Sequence, residues 1–372
     1  MRNRIEEQDV VVSPEQPKLD QIGGSIQGSE SSSIFTGLAL SGDGSTLAIG
    51  ASDHDDSKGS VRVYRYNASD GEFKEALTVQ GHASGDKFGY SVALSSSTSN
   101  KCTLAVGVPG DGTVSLYSLD FLTAESTMIG KISVSTGEGE EIQFSQRDIP
   151  EDVTFDVDIS ADGTALAISL VSCGSRNVKL YNYSNDQWEF DTATDLKPEF
   201  SLSDDGKRLA YRYADKICLF TYPNAEQCKP DLFANQLFAI SGDGLILVAV
   251  SGTSILLYQL DEAGFALTEL GSVAGQGAYN FAAISYDGTT ITLGGTDSFN
   301  IGFVEQYQYN GQELMLFSTT VFESAKFGKV VASSNDGNII ASESSIRNAY
   351  VFKMSTFTLV RFCICNSFPM PA

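Results

Sequence analysis

The chain has 372 residues, 42% apolar and 19% charged, so it can bury a large core and is too apolar for a disordered acidic chain. Its 24 basic and 47 acidic residues leave a formal charge of −23, which argues against the phosphate-neutralising chemistry of nucleic-acid binding. Six cysteines in this length make no disulfide scaffold, and Cys363 and Cys365 are too close together for a metal-finger pair.

Met1 to Gln21 contains one short continuous apolar run, Val10 to Val12, and does not read as a secretory leader. Residues 1–16 are expected to be a disordered polar arm. Lys18 to Gln27 (KLDQIGGSIQ) reads as a strand that has no sheet of its own. From Leu38 onward one unit recurs: an apolar strand, Ser, an Asp-Gly turn, a second apolar strand, a variable loop, and a third strand ending in an aromatic residue. Its turn segments are LALSGDGSTLAIG ending at Gly50, VALSSSTSNKCTLAVG at Gly107, VDISADGTALAIS at Ser169 and FSLSDDGKRLAYR at Arg212. They continue with FAISGDGLILVAV at Val250, AAISYDGTTITLG at Gly294 and VVASSNDGNIIAS at Ser342. The third strands end at Tyr64, Tyr117, Tyr181, Phe220, Tyr258, Tyr307 and Phe352, one for each turn.

Asp-Gly supplies the backbone angles of a tight hairpin turn, and the flanking runs are too short for helices. The first two strands of each unit are nearly continuously apolar, as for sheets stacked on both faces, whereas the third alternates. Lys74 to Gln80, Ala266 to Val273 and Leu314 to Val321 read as fourth strands. Leu245 to Leu260 is cut by Ser251-Gly252-Thr253-Ser254 and reads as two strands rather than a membrane helix. Four short antiparallel strands per repeat predict an all-β chain, a seven-bladed β-propeller over residues 17–353. An open stack would leave exposed edges, so the N-terminal strand Lys18 to Gln27 is expected to pair with Ala349 to Lys353 and close the ring. Residues 354–372 break the pattern and are read as an irregular tail. Cys218 and Cys228 flank a turn and can face each other across a hairpin. Asn67-Ala68-Ser69 and Asn182-Tyr183-Ser184 match the glycosylation pattern, which matters only in a secreted chain.

Gly85 to Tyr117 carries Phe88-Gly89 and Gly107-Val108-Pro109, and in these motifs it resembles the FG-GAP repeat of integrin alpha-subunit propellers. Phe327-Gly328 repeats the first motif and Gly50-Ala51-Ser52 echoes the second, while the middle units keep only the strand and Asp-Gly pattern. The resemblance implies a non-enzymatic propeller for adhesion or protein binding, often extracellular or membrane-associated. It does not carry over the family's calcium sites. Asp158, Ser160 and Asp162 come nearest to such a loop, but Leu166 stands where a closing carboxylate is needed, and a strand with a tight turn accounts for the segment. No cofactor is expected, apart from weak calcium binding at Asp53 to Gly59 (DHDDSKG).

Catalytic patterns are absent from the sequence. There is no Gly-x-Ser-x-Gly, and the two histidines, His54 and His82, sit in polar loops. Gly137-Glu138-Gly139 and Gly275-Gln276-Gly277 lack the rest of a dinucleotide loop. In a propeller the loops between second and third strands and those between blades emerge on one face. That face carries Asp53, Asp55, Asp56, Asp86 and Asp111, together with Glu138, Glu140, Glu141, Asp148, Glu151 and Asp152 from the long insertion Thr136 to Val153. All come from the first three blade junctions and form an acidic sector suited to a basic protein partner or a glycan. The plainer reading is that these acids keep a large β-protein soluble. A propeller hydrolase of lactonase type, with carboxylates and a metal in the central channel, is the alternative function. A fragment of a larger receptor-like chain is a third reading.

Overall fold

The computed structural model describes residues 18–27, 35–96, 100–137, 140–141, 154–172, 175–184, 187–195, 199–213, 216–222, 225–233, 237–261, 266–297, 299, 301–325, 330–344 and 348–355. Among the described residues strands dominate, and helix is confined to single turns at His54–Ser57 and Pro109–Asp111. Six antiparallel sheets of four consecutive strands follow one another along the chain, and a seventh is completed from the N-terminus. Blade 1, for example, runs Gly37–Leu40, Thr46–Ala51, Ser60–Asn67 and Glu72–Gln80. Blade 3 starts at Thr154–Ile159 and blade 4 at Phe200–Leu202.

In blade 7 the strand Asn348–Ser355 pairs inward with Ile339–Ser344 and outward with Lys18–Gln21 and Ile26–Gln27. Lys18 lies opposite Ser355, and Ile26 opposite Ala349. This is the ring closure read from the sequence, with the closing strand divided at Gly23 and Gly24. Contacts between innermost strands run from each blade to the next and from blade 7 back to blade 1. Leu245 to Leu260 forms two strands, Ile246–Ser251 and Ser254–Leu260. Met354 and Ser355, read from the sequence as the start of the irregular tail, instead extend the last strand opposite Leu19 and Lys18. The arm before residue 18, Phe327-Gly328 and the remaining tail from residue 356 lie outside the described residues.

The apolar repeat becomes seven packed clusters, one at every blade junction. Each aromatic at the end of a third strand enters the junction with the preceding blade. Tyr64 packs against blade 7, Tyr117 against blade 1, Tyr307 against blade 5 and Phe352 against blade 6. Leu47, Leu104, Leu166, Leu247 and Ile340 of the second strands are all 0% exposed. Burying one such side chain contributes about 1.5–3 kcal/mol, so the junctions rather than the sheet edges hold the disc together. Continuous apolar patterning does not mean full burial everywhere: in blade 6, Phe281 to Ile284 are half-buried because they border the central channel.

The Ser-x-Asp-Gly signature is also explained by packing. In six turns the buried Ser hydroxyl donates to the Asp Oδ1 at 2.5–2.8 Å. The same Ser Oγ accepts the backbone N–H five residues on at 2.9–3.0 Å. Buried polar groups must be paired, and this arrangement pairs three at each hairpin. The turns also join neighbouring blades: Ala161 N–H donates to Asp204 C=O, Tyr286 N–H to Asn335 C=O and Asn335 N–H to Gly42 C=O, each at 2.7 Å. Cys218 is disulfide-bonded, and its register partner across the hairpin is Cys228.

Candidate functional site

The loop face over blades 1 and 2 and the axial channel are two regions of the described structure that bring solvent-accessible polar groups together.

On the loop face, Asp53 to Gly59 folds into a turn in which Asp55, Asp56 and Ser57 have φ of 52°, 55° and 59°. L-residues reach this left-handed region at a cost of about 1–2 kcal/mol each, so the neighbouring loop must hold them there. Gly85 N–H donates to Asp56 C=O at 3.2 Å and Lys87 N–H to Ser57 C=O at 2.8 Å. Ser84 Oγ donates to Asp56 Oδ2 at 2.6 Å. The second loop is pinned in turn to a third, because Gly110 N–H donates to Asp86 C=O at 2.9 Å.

Phe88 and Gly89 explain how the loops come so close. Phe88 is 1% exposed in the junction of blades 1 and 2, with its ring edge-on to Tyr117 at 6.0 Å. A Cβ at Gly59 would lie 2.0 Å from the Phe88 carbonyl oxygen, and one at Gly50 2.0 Å from that of Gly89. Backbone therefore packs directly on backbone at these two glycines.

The structure thus gathers Asp53, Asp55, Asp56, Asp86 and Asp111 from three loops. Asp55, Asp56 and Asp111 are exposed, while Asp53 and Asp86 are half-buried. Lys58 stands 3.9 Å from Asp55 and Lys131 pairs with Asp111, so this part of the sector is less negative than its acids alone imply. Glu140 and Glu141 lie in a short strand paired with Ser135–Gly137. Glu138, Asp148, Glu151 and Asp152 fall outside the described residues. Acidity is not confined to this face: the repeated turns set Asp43, Asp162, Asp205, Asp243, Asp287 and Asp336 around the opposite one.

The axial channel contains a cavity of about 420 Å³ bounded by the innermost strands. Most of the residues that line it are apolar, including Phe200, Phe238 and Phe281, but polar atoms supply as much of its exposed surface, and Asp156, Asp158 and Asp204 line it from blades 3 and 4. Alternation along Thr154–Ile159 turns Phe155, Val157 and Ile159 into the junction with blade 2 and leaves both aspartates on the other side. Asp156 is exposed to channel solvent yet ringed by protein, so bulk water hydrates its charge poorly. Burial of this kind raises its carboxyl to about 6. Asp158 is raised to about 7, first by burial and then by the charges of Asp156 and Asp204, against a hydrogen bond from Leu202 N–H. Burial also raises Asp204, although its carboxylate accepts a hydrogen bond from the Asn335 side chain of blade 7. That bridge spans the turn-side mouth of the channel. Glu199 and Arg212 also line the cavity and form an ion pair at 3.4 Å. Among the described residues, no three His, Cys, Asp or Glu side chains are grouped to hold a metal ion.

The sequence reading missed the channel pair, naming Asp158 only beside the turn. The signal was present, because Phe155 to Ile159 carries two aspartates where other innermost strands read LAL, VAL or FAI.

The closed ring of four-stranded blades defines the chain as a seven-bladed β-propeller. It is similar to a chain of the "Crystal Structure of Mitotic Checkpoint Complex", with TM-score 0.56 and 13% identity over 96% of this chain and 100% of that one. At that identity the likeness is one of fold, which 1205 chains of known structure share, and fold alone does not select a function. No protein-family model and no curated protein matches the sequence.

Proposed function

We propose that the chain is a non-enzymatic interaction module that binds a basic protein partner or a glycan through its acidic loop face, in the manner of an FG-GAP propeller. The observation that carries this reading is the run of three left-handed non-glycine residues, Asp55 to Ser57, pinned by hydrogen bonds from the next loop. Strain of this kind concentrates where a surface must keep one shape for a ligand, and loops on a rigid scaffold are the usual seat of binding. Phe88-Gly89 gives the FG-GAP resemblance a physical basis, since the pair wedges that loop into the first blade junction. The structural neighbour belongs to a protein complex by its title, which is compatible with a binding role. The hydrolase alternative draws on the channel, whose carboxylates are not grouped for a metal ion among the described residues.

Affinity capture tests the reading. The full chain and a variant carrying D53A, D55A, D56A, D86A and D111A are used as baits, and bound material is identified by mass spectrometry and glycan array. Partners retained by the unmodified chain are expected to be lost from the variant while its thermal unfolding stays cooperative. An identical partner set for both baits would place the binding surface elsewhere.

A further inference from the structure

We propose that the axial cavity binds an organic cation, an ammonium or guanidinium group on an aliphatic stem, with Asp156 and Asp158 as its counter-charges. This does not rest on the loop-face reading and stands or falls separately. Among the described residues, Asp156 and Asp158 accept hydrogen bonds only from backbone: Val157 N–H at 3.0 Å, Ile159 N–H at 2.9 Å and Leu202 N–H at 3.2 Å. Among the described residues no Lys or Arg pairs with either, and Arg212, the cation that lines the cavity, is already held by Glu199. A poorly hydrated carboxylate gains from a compensating cation, and no cationic side chain described in this chain pairs with these two.

Geometry selects the kind of cation. The two aspartates are two residues apart on one strand and share its face, which separates their stems by roughly 7 Å. That spacing suits two edges of an extended cationic group rather than the tight oxygen shell of calcium, which takes 6 to 8 ligands. Elsewhere on the wall Phe200, Phe238 and Phe281 offer apolar surface for methylenes, beside polar groups such as Asn280 and Ser201. A further polar group lies beside the pair: Ser169 is opposite Asp156 in the register and on the same face, and its hydroxyl is fully buried without a hydrogen-bond partner. The cavity, about 420 Å³, also matches small-ligand sites.

Calorimetric titration of the full chain with agmatine, which carries both cationic groups, tests the site, with n-pentanol and calcium chloride as controls. Agmatine is expected to bind and the controls not to. D156N and D158N are each expected to weaken binding by about tenfold or more, as when one charge-assisted contact is removed. In the unmodified chain the backbone amide resonances of Val157, Ile159 and Leu202 are expected to shift on titration, a readout that does not depend on the variants folding. Titration with a blocked Ala-Arg-Ala peptide separates two sources of the same chemistry. Binding of agmatine assigns the cavity to a free small cation, and binding of the peptide alone assigns it to a basic side chain of a partner. Failure of both, binding of calcium in their place, or amide shifts confined to the outer loops would overturn the proposal.

Discussion

Ser203 illustrates the repeated turn atom by atom. Its hydroxyl, 0% exposed, donates to Asp205 and accepts from Arg208 N–H, so the Ser and Asp that look like reactive groups are consumed in closing a hairpin. The aspartates of the turns and of the channel respond to pH in opposite directions. Burial works against the charge of Asp162, Asp287 and Asp336, but hydrogen bonds from their turns outweigh it and hold all three below the ordinary carboxylate range. Their contribution to stability is present above the unfolded value and is lost as pH falls through the folded one. Asp156 and Asp158, raised to about 6 and about 7 from 3.8, favour the fold below the unfolded value and lose that contribution as pH rises through the folded values. D158N is therefore expected to unfold at a higher temperature than the unmodified chain at pH above about 7, with the gain shrinking toward pH 4. Calorimetric melting across this range checks it, and a difference independent of pH would contradict the assignment.

Among the elements, the closing strand carries the most consequence. Leu19 is 4% exposed and packs into the junction of blades 6 and 7 with Val304 and Phe352. Leu19→Asp places an uncompensated charge there, and loss of the core contacts alone costs about 2–5 kcal/mol. A lowered midpoint of chemical unfolding is expected, with partial recovery when a peptide spanning residues 17–28 is added to a chain that starts at residue 35. A midpoint unchanged by the substitution would show that the ring does not depend on this strand. That strand was legible because KLDQIGGSIQ resembles an outer strand yet precedes the first unit, and the blades were legible because Ser-x-Asp-Gly marks every hairpin but one. Blade 2 departs, with SSSTSN in place of the short turn, and was still found from Ser95 and the apolar runs on either side; in the structure Thr103 N–H restores the bond to Ser95 Oγ at 2.8 Å. The loop geometry was not legible, since left-handed torsions at Asp55 to Ser57 arise from contacts with residues 84–87 that no local pattern encodes. The network around Glu305 was hidden in the same way. Glu305 is 1% exposed and takes hydrogen bonds from both Tyr279 and Tyr307, and their closeness follows from strand register.

For the whole molecule, a formal charge of −23 is distributed over both faces of the disc and its channel. Self-repulsion on this scale opposes compactness, and mobile ions screen it over about 10 Å at 0.1 M salt. The melting temperature is expected to rise as sodium chloride is added from near zero to physiological strength, and calorimetry at several salt concentrations checks this. A flat or falling response would mean that attractive pairs such as Lys101 with Asp120 at 3.0 Å dominate instead. The pairing of Lys18–Gln21 with Asn348–Ser355 also sets an order of events during synthesis. The earlier of these segments leaves the ribosome more than three hundred residues before its mate and has no sheet to join until that mate is translated. A growing chain can assemble blades 1 to 6 as they emerge, while the flank of blade 6 that will meet blade 7 stays bare. Completion is thus a single late step, and until it occurs the nascent protein offers chaperones, or a second copy of itself, the surface that its own beginning will later cover.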